Sequence, residues 1–287
     1  MRRAVLLLAL GGMSWAASCA SFSSSSDTPP SDAASSDAPS PPSPPDAASD
    51  AQPSGDAGGG SAYRAAVLKD SPIVYWRMGV ASGAPSVPDE TGGAHTLFLQ
   101  GNGHVYGVAG ALAHDPDTAI GFDGVSAYAL LQEADAVAFM GAQPFTVECF
   151  VKQTKAGSSQ FIVTNSMGSG SSRAGWVLYA DSAPKVHFEY LPGVPPTQDV
   201  DTPLASNKWT HVAGVYDGMH AQLYVDGTLA PADSSDAGAL PMLSGPLYVA
   251  ADHDQSEFFA GGIDEMAIYG RALDLSEITA HIAAARE

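Results

Sequence analysis

The sequence predicts an all-β fold: an antiparallel sandwich of two sheets with one short helix at its C-terminal end. Three observations point there. Short segments rich in Val, Ile, Tyr, Phe and Thr recur from Ile73 to Tyr269, set apart by Gly, Pro, Asn, Asp or Ser. In one long segment Trp209, His211, Ala213 and Val215 alternate with Thr210, Val212, Gly214 and Tyr216, the two-residue period of a strand. A helix start signal with helical periodicity follows only after Leu273, and no repeat of solenoid length is visible.

Taken in order, the first 62 residues stand outside that fold. Arg2 and Arg3, the apolar run Ala4–Leu10 and the small-residue string WAASC (Trp15–Cys19) read as a secretory signal over residues 1–18, its apolar stretch too short to cross a bilayer. Cys19, directly after Ala16-Ala17-Ser18, resembles the lipobox cysteine of bacterial lipoproteins, with Ala16 standing where Leu is usual. That resemblance implies acylation of Cys19 and an exported protein anchored by lipid to a bacterial membrane, in the cell envelope at the outer membrane or cell surface; simple secretion is the alternative. Beyond Cys19 the chain to Ala62 is almost wholly Ser, Pro, Ala, Asp and Gly, with six Asp and no Lys or Arg. Such a composition buries too little apolar surface to offset chain entropy, so residues 19–62 read as a disordered tether, stiffened near Pro29, Pro41 and Pro44 and loosened at Gly58–Gly60.

Residues 63–287 read as one domain. After a short amphipathic turn at Tyr63–Asp70, strands are expected at IVYWRM (73–78), TAIGFD (118–123), AYALL (127–131), FTVECFVKQ (145–153), FIVTN (161–165), WVLYA (176–180), KVHFEY (185–190), WTHVAGVY (209–216), QLYVDG (222–227), LYVAA (247–251) and GIDEMAIY (262–269). Asp217-Gly218 interrupts a hairpin and Asp226-Gly227 closes it. For the last helix, Asp274 and Glu277 form a capping-box pair, Leu273 staples Ile278, and Leu275, Ile278 and Ile282 make one apolar face expected to pack on the sandwich edge.

Five strings in this order, SPIVYWRMG (71–79), DTAIGFDGVSAYALL (117–131), FTVECFVK (145–152), WTHVAGVYDG with YVDG (209–227) and FFAGGIDEMAIYGRAL (258–273), resemble laminin-G-like domains of the concanavalin A-like lectin and glucanase superfamily. The resemblance implies a jelly-roll sandwich and a structural calcium held by an early loop and by the Asp of the closing strand. It places Asp264 of GGIDE there, with Asp89 and the Gly92 carbonyl of PDETGG as early-loop ligands and Glu90 as the alternative to Asp89. The other reading of Asp264 is a carboxylate that accepts backbone N–H bonds at a strand turn.

From Tyr63 onward 25 acidic residues stand against 10 basic ones, a balance that repels phosphate backbones and excludes nucleic acid as a partner. Glycoside hydrolysis needs two carboxylates flanking one bond. The E-x-D-x-x-E pattern of laminarinase-type relatives is absent, Glu148 is alone on its strand, and adjacent Asp264 and Glu265 point to opposite faces of a regular strand. GNGHVYG (101–107) and GSGSSRAG (168–175) read as loops without a phosphate cradle or nucleophile elbow. His211 reads as a packed, hydrogen-bonded imidazole, DHD (252–254) as a solvated turn with only local metal character, and Cys149, in phase with Phe145, Val147 and Val151, as a small buried hydrophobe. No catalytic residue follows. Tyr106, Trp176, Tyr179 and Tyr190 are the aromatics to weigh for stacking on a sugar, with core packing as the alternative, and none is assigned. The expected function is an envelope lipoprotein whose domain is a non-catalytic module for glycan binding or adhesion. Its rivals are an assembly component that contacts envelope proteins without sugar and, third, a glycoside hydrolase.

Overall fold

The computed structural model describes residues 61–231 and 238–287. Cys19, the expected signal segment and the tether as far as Gly60 lie outside them. In chain order the elements are helix α1 (Ala62–Lys69), then strands β1 (Val74–Trp76), β2 (Ser86–Val87), β3 (Leu97–Gln100), β4 (Val105–Ala109), β5 (Thr118–Asp123), β6 (Tyr128–Leu131), β7 (Phe145–Gln153) and β8 (Gln160–Met167). There follow β9 (Ala174–Ala180), β10 (Lys185–Pro192), β11 (Gln198–Pro203), β12 (Thr210–Tyr216), β13 (Ala221–Val225), β14 (Thr228–Leu229), β15 (Leu247–Val249), β16 (Ala260–Tyr269) and helix α2 (Leu275–Ala284).

The strands make two antiparallel sheets, the jelly-roll sandwich that the sequence predicts. The first runs β14-β13-β12-β7-β16-β5-β4 with β1 also on β16; the second runs β11-β10-β9-β8-β15-β6-β3-β2. Every expected segment is a strand. The sequence does not mark β2, β3, β4, β11 or β14, which are short or, like β4 and β11, only partly buried and so lack an apolar run. GNGHVYG, read as a loop, is one only in its first four residues, since Val105, Tyr106 and Gly107 belong to β4.

Alternation on β7 explains how the layers close. Phe145, Val147, Cys149 and Val151 point into the core between the sheets, and burial pushes the Cys149 thiol pKa up. Phe145 stacks 4.5 Å from Phe139 and lies 5.5 Å from Trp176 on the opposite sheet. Fully burying a side chain of this size contributes about 1.5–3 kcal/mol. A Cβ on Gly214 of β12 would run into the Phe188 ring, so the sheets close at that point because the residue has no side chain. Asp226 and Gly227, at φ +48° and +78°, form the two-residue turn between β13 and β14.

Both helices lie on the outer face of the first sheet, where Tyr63, Val67, Leu273, Ile278 and Ile282 cover Tyr75, Phe150, Val215 and Tyr269. Ser61 Oγ accepts the Arg64 N–H at 3.1 Å and caps α1, so the folded domain takes up the last two residues assigned to the tether. The Asp274–Glu277 capping box forms as expected. Two details of α2 differ from expectation. It packs on a sheet face, and the buried stripe is Ile278, His281 and Ile282 while Leu275 on the first turn stays exposed.

Beneath the helices the other side of β7 carries a buried polar network. Glu148 accepts from the Tyr269 hydroxyl at 2.5 Å, and its oxygens lie 3.1 Å from His211 Nε2 and 2.9 Å from His281 Nδ1. His281 Nε2 reaches Asp70 Oδ2, just past α1, at 3.0 Å. His211 is thus the packed, hydrogen-bonded imidazole its strand phase suggests. Burial alone would raise the Glu148 pKa, but hydrogen bonds from the two histidines outweigh it and hold the carboxyl well below the usual range.

Candidate functional site

The residues assigned to calcium sit in two different settings. Asp89 Oδ1 accepts from the Tyr75 N–H (3.2 Å), the Thr91 N–H (3.0 Å) and the Thr91 hydroxyl (2.8 Å), and Oδ2 faces His95 Nδ1 at 3.0 Å. Both oxygens are taken by the loop itself. Glu90 pairs with Arg64 at 2.8 Å, and Gly92 lies exposed on the turn at φ +78°. Asp264 is different: Oδ2 accepts the Ala111 N–H at 2.8 Å, while Oδ1 is buried without a hydrogen-bond partner. Of the assigned carboxylates only Asp264 keeps a buried oxygen without a hydrogen-bond partner. Among the described residues no three His, Cys, Asp or Glu side chains are grouped to hold a metal ion.

Around Asp264 the strand is irregular. The register of β16 against β7 shifts between Asp264 and Ala267, and Glu265 sits at φ +51°. Regular alternation would send Asp264 and Glu265 to opposite faces; the bulge sends both outward, where Asp264 meets Ala111 and Glu265 accepts from the Tyr75 hydroxyl. The Arg77 guanidinium is the cation that faces these carboxyls, reaching Glu265 at 3.0 Å, Asp115 at 2.6 Å and Asp117 at 3.1 Å. Burial pushes Glu265 up to about 7 against the pull of Arg77 and Tyr75, and burial followed by the Glu265 charge raises Asp264 well above the carboxylate range.

The outer face of the second sheet carries no α-helix among the described residues; Phe161, Val177, His187 and Leu191 are buried on it, and Arg173, Tyr179 and Glu189 are partly exposed. On β9, Trp176 and Leu178 face the core, so Val177 and Tyr179 face out; on β10, Val186, Phe188 and Tyr190 face in, so His187, Glu189 and Leu191 face out. Phe161 of β8 is the register partner of Tyr179. The rings form a ladder across three strands: Phe161 stacks on Tyr179 at 5.5 Å, Tyr179 stacks on His187 at 4.6 Å, and the Arg173 guanidinium lies 4.7 Å over Phe161. Polar groups rim it. The Tyr179 hydroxyl donates to Glu189 at 3.1 Å, and His187 lies 3.0 Å from Asp199 and 3.2 Å from Asp181. Burial, then the Asp199 charge, raises the Glu189 pKa; burial opposes protonation of His187, but its bond to Asp199 and the charges of Asp199 and Asp181 outweigh that and raise it.

Of the four aromatics singled out in the sequence, Trp176 and Tyr190 are core, Tyr106 ties its hydroxyl to the Ala84 carbonyl at 3.0 Å, and Tyr179 is the centre of the ladder. Sequence reasoning missed Phe161, Arg173, His187, Glu189 and Asp199. Strand parity was the available signal, since Tyr179, His187 and Glu189 are out of phase with core residues of their strands. It also missed that Asp252 of DHD is buried and ion-paired to Arg173, not solvated.

A laminin-G family model described as the concanavalin A-like lectin/glucanases superfamily matches residues 123–279, more than half of the chain. The chain belongs to this superfamily. No curated protein matches it. Among solved structures, the binding domain of botulinum neurotoxin serotype G superposes with a TM-score of 0.56 at 11% identity, covering 74% of this chain and 50% of that one. The neurotoxin DC binding domain in complex with rat synaptotagmin II gives 0.56 at 14% identity, covering 76% and 52%. The DC domain in complex with SialylT gives 0.57 at 13%, again covering 76% and 52%. At these identities the likeness is one of fold, and the concanavalin A-like chain spans about half the length of each neurotoxin domain.

Proposed function

We propose that this chain is an exported envelope lipoprotein, anchored through Cys19, whose concanavalin A-like domain is a non-catalytic glycan-binding module working through the outer face of its second sheet. The observation that carries the reading is the Arg173–Phe161–Tyr179–His187 ladder. Since the rings take one another's faces and Phe161 and His187 are buried, a pyranose would meet the ladder at the edge of partly exposed Tyr179, with Glu189 and Asp199 at the rim taking its hydroxyls. The structural neighbours lend support, since they are binding domains and one is in complex with SialylT. The neighbour in complex with synaptotagmin II supports a protein partner as the second reading.

Glu189 and Asp199 are direct register partners, the kind of facing carboxylates a hydrolase needs. Each is already engaged, Glu189 by the Tyr179 hydroxyl and Asp199 by His187, which supports binding over turnover. Calcium enters this reading through Asp264, whose unpartnered Oδ1 is the free buried oxygen of its corner. The test is a glycan-array screen of the exported chain carrying Cys19→Ser, run beside Tyr179→Ala, with hits assayed for reducing-sugar release. Hits lost in Tyr179→Ala without sugar release uphold the reading; an empty array, or release abolished by Glu189→Gln, rejects it.

A further inference from the structure

His187 on β10 is held from both sides by carboxylates. Nδ1 lies 3.0 Å from Asp199 Oδ1 on β11, and Nε2 faces Asp181 Oδ2, just past β9, at 3.2 Å. Nε2 is buried and makes no hydrogen bond of full geometry, so the Asp181 charge is what it meets. A neutral imidazole carries one N–H and one lone pair, and a carboxylate only accepts. Whichever nitrogen gives up its proton therefore sets a lone pair beside a carboxylate oxygen. Only the imidazolium is attracted to both.

The remaining charged groups around the ring agree with that form. On β11 Asp201 is the register partner of His187 and pairs with Lys185 of β10 at 2.6 Å, while Glu189, two residues along β10, takes the Tyr179 hydroxyl. Burial works against the Asp181 charge, but the Lys185 N–H and His187 outweigh it and hold the carboxyl below the usual range. Burial and then the Glu189 charge push Tyr179 far up, so the phenol stays neutral. Burial opposes the charge of His187 too, but its contacts to Asp199 and Asp181 outweigh that and raise it. The imidazolium is therefore fully present below about pH 6.5 and is lost as pH rises through the higher folded value. Glu189, raised by burial and then by Asp199, is the other group of the face that titrates upward of its ordinary range.

The charge bears on the binding face through two contacts. The imidazolium stacks on Tyr179 at 4.6 Å with an interplanar angle of 12°, a cation against the ring that is partly exposed. It also holds Asp199 at the rim. Loss of the proton takes the cation from beside Tyr179 and leaves one of the two carboxylates facing a lone pair. We infer that His187 is a positioning residue for the glycan face, an imidazolium whose loss of charge releases Tyr179 and Asp199, so that the chain binds its glycan more tightly in acid than in alkaline solution. The inference rests on the glycan-binding reading and deepens it by naming how that site is regulated.

The experiment follows the His187 ring by imidazole nitrogen NMR between about pH 5 and pH 9 on the exported chain carrying Cys19→Ser. Over the same range calorimetry measures the affinity for an array-selected oligosaccharide, with His187→Phe, Glu189→Gln and His281→Gln alongside. Both ring nitrogens carry protons at about pH 6.5, the ring titrates above that, and affinity falls about three-fold or more along the same curve. His187→Phe keeps a ring in the stack and loses the pH slope. His281→Gln, away from the ladder, keeps the slope, which separates the site from the stability of the fold. The ring titration and the slope of the parent chain stand even where a variant fails to fold. A His187 ring already neutral at about pH 6.5, equal affinity across the range, or a slope that survives His187→Phe and vanishes in Glu189→Gln overturns the inference and leaves the glycan reading standing. If no carbohydrate binds at any pH, both fall.

Discussion

Glu148 and His281 lie 133 positions apart in the chain and meet at 2.9 Å in the layer between the first sheet and α2. With Tyr269, His211 and Asp70 they tie the central strand to both helices without a disulfide, and Cys149 is a free thiol in the core. Glu148→Ala removes the shared acceptor and leaves two buried imidazoles without it, so a loss of about 3–5 kcal/mol is expected. Urea unfolding checks it: the midpoint falls at unchanged m-value. A loss under about 1 kcal/mol would show that the network is dispensable.

The same pair sets the pH dependence. The Glu148 pKa is lowered on folding, so its contribution is present above its unfolded value of about 4.3 and is lost as pH falls. The His281 pKa is raised: burial works against protonation, but Glu148 and Asp70 outweigh it. Its contribution is therefore full below about 6.5 and is lost as pH rises through the higher folded value. Tyr63 and Tyr269 also face His281, and both are pushed further up by burial, so they stay neutral across this window. The contribution of this pair is expected to be greatest between about pH 4.5 and 6.5, while Glu265 and Asp264, raised by burial, lower stability as pH climbs above the unfolded carboxyl range. His281→Gln flattens the alkaline side and separates the histidine's part from that of Glu265. A melting temperature that rises from pH 6 to pH 8 contradicts the assignment.

Calcium is checked by heat. If Asp264 holds the ion, a chelator lowers the melting temperature of the wild-type chain and moves Asp264→Asn much less, because a ligand bound only to the folded state stabilises it by mass action. A wild-type curve that chelation leaves in place contradicts a cation at Asp264 and leaves it as a carboxyl that accepts the Ala111 N–H.

Most of the architecture was legible, because apolar, β-branched and aromatic runs bounded by turn residues declare strands, as at β7, β12 and β16, and the residue pair Asp274–Glu277 declares the capping box of α2. The site was much less so. Tyr179, His187 and Phe161 come from three strands, and only the register that stacks them makes a ladder. The bulge that turns Asp264 and Glu265 to one side leaves no sequence signature beyond the residues it strains. Arg173 sat in a loop-like Gly/Ser string, and its partner Asp252 lies 79 residues away, so neither hinted at the other.

The anchor has its own test. Cys19→Ser is expected to move the protein from the membrane fraction to the soluble fraction and to remove the mass of the lipid; among the described residues no helix is long and apolar enough to cross a membrane. Unchanged membrane retention would reject acylation at Cys19.

The most direct measurement of the central claim is calorimetric titration of an array-selected oligosaccharide into the exported chain carrying Cys19→Ser, with Tyr179→Ala and the outer-face variant Glu189→Gln alongside. Tyr179→Ala should lose about 1–3 kcal/mol of binding, as expected for one removed aromatic contact, with no reducing ends formed in any sample. Binding of equal affinity to wild type and Tyr179→Ala would place the ligand elsewhere and contradict the account.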